Sequence, residues 1–478
     1  LSQGKLHYHF LGICGTAMAP VAIALHSRGN VVTGSDGACY PPMSRILREA
    51  GLTTREGYSP GNLPPDGIVV VGNALSRGNP ELEAALDRNL PLVTLPDLVA
   101  TEFLRGKRSL VIAGTHGKTT TTALVAHILR SLGRNPGWLV GGSSLDLPRS
   151  CAYDVGGEFV IEGDEYDTAW FDKRPKFLHY RPFHAILTSL EFDHSDIYPD
   201  ITALESAFRR FAGLLPRSGR LVFCSDDLRL GRVVEAAHAT PVAYGYGESA
   251  DYRLCDPLVT AAGSSAILRH PDGRELRLQT CVPGRHNLLN ATAALALVEA
   301  VGVDPESALG PIALFNGVER RLTHIPTGNG IALYDDFAHH PSAIRATLET
   351  LRSLHPKRPL WALVEPRSNT MVRRFFQHEL AAALSIADRV FVAPLHREEQ
   401  LPPDDRLDRT QLAADLASAG SSAFIASNLD DLEQGVTTDC PPDGIVVLLS
   451  NGSFGGLRDK LAQSLGRPAN HHRSGVDL

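Results

Sequence analysis

A chain of 478 residues exceeds what one hydrophobic core organises, so several domains are predicted. Its apolar content of 43% and charged content of 21% are those of a folded globular protein and exclude a disordered or fibrous chain. The net charge of -7, with Lys and Arg scattered and no dense basic block, argues against nucleic acid as the main partner.

From Phe10 to Leu25 there are sixteen residues without charge, and Ala22-Ile23-Ala24 has the small-residue spacing of a signal-peptidase site. The stretch is short for a membrane span, and Gly12, Gly15 and Pro20 interrupt it. A strand His7–Leu11, a glycine turn and a helix Ala17–Ser27 account for it better, because a second strand follows at Val31–Thr33. Strands at Ile68–Val71 and Leu92–Leu95, with helices Ser44–Ala50 and Pro80–Arg88 between, continue the alternation and predict a parallel sheet. No other segment reads as an address signal, and the chain is expected in the cytoplasm with no membrane partner. Seven cysteines, an odd count with no CxxC pair, suit a reducing compartment and make a poor zinc site. Leu1 in place of Met points to a chain that is not the untouched translation product.

A second unit opens with the strand Leu110–Ala113, the loop Gly114-Thr115-His116-Gly117-Lys118-Thr119-Thr120 and the helix Thr119–Leu132. Backbone N–H groups at a helix N-terminus cradle phosphate oxygens, and glycines allow close approach. Lys118 then reaches the terminal phosphates and the Thr119 hydroxyl reaches Mg²⁺, so ATP and Mg²⁺ are the expected cofactors. The loop is a shortened variant, with Ile112 where the strict pattern has its first glycine. Two acidic clusters follow apolar runs: Glu162-Gly163-Asp164-Glu165-Tyr166-Asp167 after Phe159–Ile161, and Glu191-Phe192-Asp193-His194-Ser195-Asp196 after Ala185–Leu190. Oxygen-rich clusters at strand ends suit Mg²⁺ beside phosphate, although such acids also form solvated turns. The third unit carries strands Leu360–Val364, Val390–Ala393, Phe424–Ala426 and Ile445–Leu449, with a charged, proline-containing loop Leu401–Arg409. Three α/β domains are expected, at 1–107, 108–325 and 326–478.

In this order the motifs resemble those of the Mur ligases, ATP-dependent amide-forming enzymes of peptidoglycan synthesis. The similarity runs through GTHGKTT, EGDEYD, EFDHSD, Gly284-Arg285-His286-Asn287 with Asn290, Arg320-Arg321, and Tyr334-Asp335-Asp336-Phe337-Ala338-His339-His340-Pro341. The resemblance implies a Rossmann-like N-terminal domain, a P-loop central ATPase domain and a Rossmann-like C-terminal domain. It implies nucleotide contacts from Gly114, Thr115, His116, Gly117, Lys118, Thr119 and Thr120, and from His286, Asn287, Asn290, Arg321, Asp336 and His340. Thr119, Glu162 and His194 become metal ligands, and Lys118, His194 and Arg321 the catalytic set. Two departures stand out. Ser189 replaces the family's usual Asn, and no lysine lies between Lys176 and Lys357 to supply the carbamoylated bridge some members use. Subgroups of the family that lack that lysine include the muramate–alanine ligases.

The turn Gly12-Ile13-Cys14-Gly15 and the pair Ser35-Asp36 read first as a Rossmann phosphate turn with an acid for a ribose hydroxyl. Met18 occupies the third glycine of the dinucleotide fingerprint, which disfavours NAD. The resemblance instead implies a UDP-N-acetylmuramate pocket made by Gly12, Gly15, Ser35, Asp36 and Asn73. Two kinds of member use that sugar: one adds L-alanine, the other the tripeptide L-Ala-γ-D-Glu-meso-diaminopimelate in peptidoglycan recycling. The segments Tyr166–Arg174, Glu365–Met371 and Asn451–Gly456 resemble the tripeptide-using version, with Ser453 departing from its glycine. Arg367, Ser368 and Asn369 are the expected peptide contacts, supplying charge and hydrogen bonds for several carboxylates. The rival classes are a P-loop hydrolase acting as a switch, which turns over nucleotide without a sugar substrate, and a noncatalytic sugar-binding module, which releases no phosphate.

Overall fold

Uninterrupted apolar runs such as Ile68-Val69-Val70-Val71 and Leu110-Val111-Ile112-Ala113 fit only strands buried on both faces, and the fold places them so. The computed structural model describes residues 5–40, 43–328 and 330–466. Three sheets follow one another along the chain. The first has five parallel strands in the order Thr54–Glu56, Val31–Asp36, His7–Leu11, Ile68–Val71, Leu92–Thr94, the arrangement of a Rossmann-like half with its switch point beside His7–Leu11.

The second sheet has ten strands. Its parallel centre contains Arg108–Ala113 between His184–Leu187 and Glu158–Gly163. Thus the phosphate loop and both acidic segments leave adjacent strands at the same end. An antiparallel meander, Tyr252–Thr260, Gly263–Arg269 and Glu275–Thr280, extends one edge. Its alternating burial marks a sheet with one solvated face, a pattern the search for continuous apolar runs does not detect. The third sheet has six strands, parallel except for Thr323–Ile325, which pairs antiparallel with Ala332–Asp336. The third sheet therefore starts at Thr323, within the range 108–325 expected for the central unit.

The expected elements recur with shifts of a few residues at their ends; Val31–Thr33, for example, extends to Asp36. Part of Leu401–Arg409, expected as loop, forms a single turn at Pro403–Asp405, and the helix Arg409–Ser418 starts where the Asp408 side chain accepts the Gln411 N–H. One continuous core joins the first and second sheets, whereas the third sheet has separate cores on its two faces. Among the described residues no helix is long and apolar enough to cross a membrane.

Candidate active site

The helix Lys118–Ser131 starts at Gly117 with no side-chain cap, whereas the helices beginning after Asp200, Asp227 and Asp304 are each capped by that carboxylate. Uncapped N–H groups at the first turn are available to an anion. Gly114 and Gly117 both have positive φ, at 136° and 78°. A Cβ on Gly117 would sit 2.6 Å from Asn290 Oδ1, and one on Gly114 would collide with the Thr188 hydroxyl. Glycine is thus required by both conformation and space. Ser189 donates nothing to the sheet; its hydroxyl accepts the His116 N–H at 3.0 Å and its carbonyl accepts the Thr115 N–H at 3.0 Å. The residue that departs from the family pattern therefore holds the phosphate loop in place.

Lys118 Nζ donates to the Gly114 carbonyl at 2.5 Å and to Glu165 Oε1 at 2.9 Å. Glu165 is 2% exposed and also meets His194 Nε2 at 3.0 Å. Burial works against the charged forms of all three, yet their mutual attraction prevails: Lys118 and His194 are raised and Glu165 is lowered. Glu162 accepts from the Thr119 hydroxyl at 3.0 Å and from the Gly141 N–H at 2.8 Å; burial dominates there and raises its pKa. His194 adopts a left-handed φ of 58°, a strained conformation held by the Asp193 carboxylate accepting its N–H at 2.7 Å.

Lys118, Thr119, Glu162 and His194 line one cavity of about 410 Å³ together with Thr16, Arg321, His339, His340 and Asn451. Hydroxyl and carboxylate oxygens with one imidazole at one wall fit a divalent cation, and behind them Glu165 pairs with Lys118 Nζ at 2.9 Å. Arg321 is half-buried, lies 5.0 Å from the Phe337 ring, and has no carboxylate partner among the described residues. It lines a second cavity of about 250 Å³ with His286, Asn287, Asn290 and Asp336. The helix Arg285–Ala300 that carries His286, Asn287 and Asn290 also lacks a side-chain cap. Burial lowers the His286 pKa to about 4, keeping the ring neutral. Asp336 is committed to the turn, accepting the Leu322 N–H at 2.6 Å and the Ala338 N–H at 2.8 Å.

In the first sheet, Gly12 turns with φ 83°, and Asp36 accepts the Cys14 N–H at 2.8 Å, fixing the turn. Asn73 is exposed after its strand. Ser35, expected in the sugar pocket, is turned inward: it is fully buried and donates to Glu81 at 2.9 Å. Its side chain faces the interior because Glu81, paired with His9 at 2.6 Å, needs that donor. In the third unit Arg367 lies flat against Gly452, beside Asn451 of the larger cavity. The Asn369 amide donates to Asp196 at 2.9 Å, Thr370 donates to Asp193 at 2.7 Å, and the Ser368 hydroxyl accepts the Met371 N–H at 3.1 Å. Ser368 is thus engaged in its own turn. Glu165, Glu191, Thr16 and Thr370 were not singled out from sequence. Glu165 was legible only as one acid among several, and Thr16 and Thr370 carry no local signal.

Three family models match in chain order: "Mur ligase family, catalytic domain" at residues 7–106, "Mur ligase middle domain" at 112–298 and "Mur ligase, glutamate ligase domain" at 320–452. The UDP-N-acetylmuramate–L-alanyl-γ-D-glutamyl-meso-2,6-diaminoheptandioate ligase of Escherichia coli (strain K12) is 37% identical, over 97% of this chain and 99% of its own. The crystal structure of a murein peptide ligase from Psychrobacter arcticus 273-4 aligns with a TM-score of 0.73 and 33% identity, covering 97% of this chain and 99% of that one. A UDP-N-acetylmuramate–alanine ligase from Thermotoga maritima aligns with a TM-score of 0.79 at 26% identity, covering 96% and 99%.

Proposed function

The chain belongs to the Mur ligase family, and from that membership we propose that it joins the tripeptide L-Ala-γ-D-Glu-meso-diaminopimelate to UDP-N-acetylmuramate at the expense of ATP. The observation that carries the reading is the shared cavity. Thr16 of the sugar-side glycine turn, Lys118 of the phosphate loop and Asn451 of the third unit line one space, so three substrates can meet there. The choice of tripeptide is supported by the segments around Phe171 and Arg367 and by the likeness to a ligase named for that peptide.

The muramate carboxylate oxygen attacks the γ-phosphorus of ATP, ADP leaves, and an acyl phosphate forms. The tripeptide amine then attacks the carbonyl carbon; phosphate departs and the nitrogen loses a proton. The first step brings anion to anion, a repulsion on the order of 4 kcal/mol at ~4 Å near a protein surface. Lys118 and Arg321 offset it from two sides of the cavity. The open first turn of Lys118–Ser131 receives the phosphates, and His286, Asn287 and Asn290 flank the rest of the nucleotide. Thr119, Glu162 and His194 would hold Mg²⁺, which supplies Lewis acidity and a template for the phosphates. Glu165 keeps Lys118 charged and holds the His194 ring in place. Gly12, Gly15, Asp36 and Asn73 would form the rim for the sugar nucleotide, with Arg367 and Asn369 facing the peptide. Chemistry that consumes ATP and a nucleotide sugar fits a cytoplasmic enzyme, and we divide the chain at 1–107, 108–322 and 323–478, so that the strand Thr323–Ile325 falls with its own sheet.

An ADP-release assay with UDP-N-acetylmuramate and either the tripeptide or L-alanine tests this. Turnover is expected only with both sugar nucleotide and amine, and at least ~10-fold faster with the tripeptide. Faster turnover with L-alanine would reverse the acceptor assignment. ADP release without the sugar would point to a nucleotide switch.

A further inference from the structure

Side chains from two units of the fold aim donor atoms at one point beside the phosphate loop. His116 Nε2 lies 3.0 Å from Glu191 Oε2, and His340 Nδ1 lies 3.1 Å from the same oxygen. The three ligand atoms all fall within 4.8 Å of one another. Donors bound to one ion at ~2.1 Å stand roughly 3.0–3.4 Å apart in octahedral or tetrahedral geometry. Both contacts to Glu191 match that spacing.

His340 Nε2 faces the Phe192 carbonyl oxygen at 3.3 Å, a contact only an N–H satisfies. Its Nδ1 faces the Glu191 carboxylate, Ser342 Oγ at 2.8 Å and the Ser342 backbone N–H at 3.4 Å. His116 Nε2 faces the same carboxylate and lies 3.0 Å from the same hydroxyl. The Ser342 hydroxyl donates to Glu191. Two ring nitrogens and a carboxylate oxygen thus meet at one point, the donor set of a divalent-cation site. Two imidazoles beside one carboxylate suit zinc-class ions, whereas Mg²⁺ is held mainly by oxygen.

We propose that His116, Glu191 and His340 form a site for a transition-metal dication of the zinc class, distinct from the Mg²⁺ site at Thr119, Glu162 and His194. The ion would clamp the residue that opens the helix Pro341–Leu354 onto the phosphate loop, fastening the third unit to the second.

The test is a Co²⁺ titration of the full chain in excess Mg²⁺ without nucleotide, sugar or peptide, followed by displacement with Zn²⁺. One equivalent of Co²⁺ is expected to give the visible ligand-field bands of a low-coordinate site with no thiolate charge-transfer band. His340→Ala and Glu191→Gln should each weaken binding at least ~10-fold, while His194→Ala keeps it. His340→Gln serves as the second variant if the alanine form melts early. Unchanged binding in the Glu191 and His340 variants, loss in the His194 variant, or a thiolate band would each overturn the proposal. Because no substrate is present, its failure leaves the ligase reading untouched, and failure of the ADP-release assay leaves this result standing.

Discussion

Lys118 is anchored by the Gly114 carbonyl and the Glu165 carboxylate before any nucleotide arrives. Removing it therefore affects more than phosphate binding: among the described residues the buried Glu165 carboxylate keeps only the His194 ring as an ion-pair partner. Truncating one member of a buried ion pair costs roughly 3–5 kcal/mol, far more than the pair itself contributes. Lys118→Met is expected to abolish ADP release and to lower the urea midpoint, while Lys118→Met with Glu165→Gln regains stability but not turnover. Urea titrations read beside the ADP assay check both parts, and ADP release near normal from folded Lys118→Met would remove Lys118 from the chemistry. Lys118 was legible in sequence because the phosphate loop is contiguous, its geometry set by residues within one turn. Glu165 was not, since choosing it among neighbouring acids requires the distance to His194, twenty-nine positions away.

The second sheet concentrates function at one edge because its parallel strands Glu158–Gly163, Arg108–Ala113 and His184–Leu187 all deliver their following loops to the same side. Their opposite ends are built for stability. There the buried His184 Nδ1 accepts the Arg220 backbone N–H at 3.0 Å, joining neighbouring strands. Burial, then Arg108 and Arg220, depress its pKa from 6.5 to about 4. The folded form stays neutral while the unfolded chain takes up a proton below about pH 6.5. Stability from this residue is thus complete above that pH and is lost as pH falls toward 4, by on the order of 2–3 kcal/mol. His184→Gln keeps an acceptor but cannot titrate, so its urea midpoint should fall less between pH 7 and 4.5. Parallel pH profiles for the two proteins would refute the assignment. The strands were legible from their continuous apolar runs; the solvated meander at residues 252–280 was not, because half its positions face water.

At the scale of the molecule, the third unit has its own cores and meets the second through specific polar contacts, chiefly Thr370 to Asp193, Asn369 to Asp196 and His340 to the Phe192 carbonyl. Such an interface opens at modest cost, as a ligase that admits three substrates requires. Thr370→Val preserves shape and removes one hydrogen bond to a buried carboxylate, a loss of about 1.5–3 kcal/mol. We expect kcat/KM to fall about 10–100-fold with the melting temperature nearly unchanged; steady-state kinetics and calorimetry decide, and intact kcat/KM would deny the contact a role in closure. By itself the sequence determined the α/β class, the order of the three units, the phosphate loop and the family, because each rests on local periodicity or on contiguous motifs. Only the tertiary structure decided that Thr16 and Asn451 share a cavity with Lys118, that Ser35 turns inward to Glu81, and that His116 and His340 converge on Glu191. Those facts depend on how helices pack on a sheet and how whole units pack on one another, which brings together residues far apart in the chain.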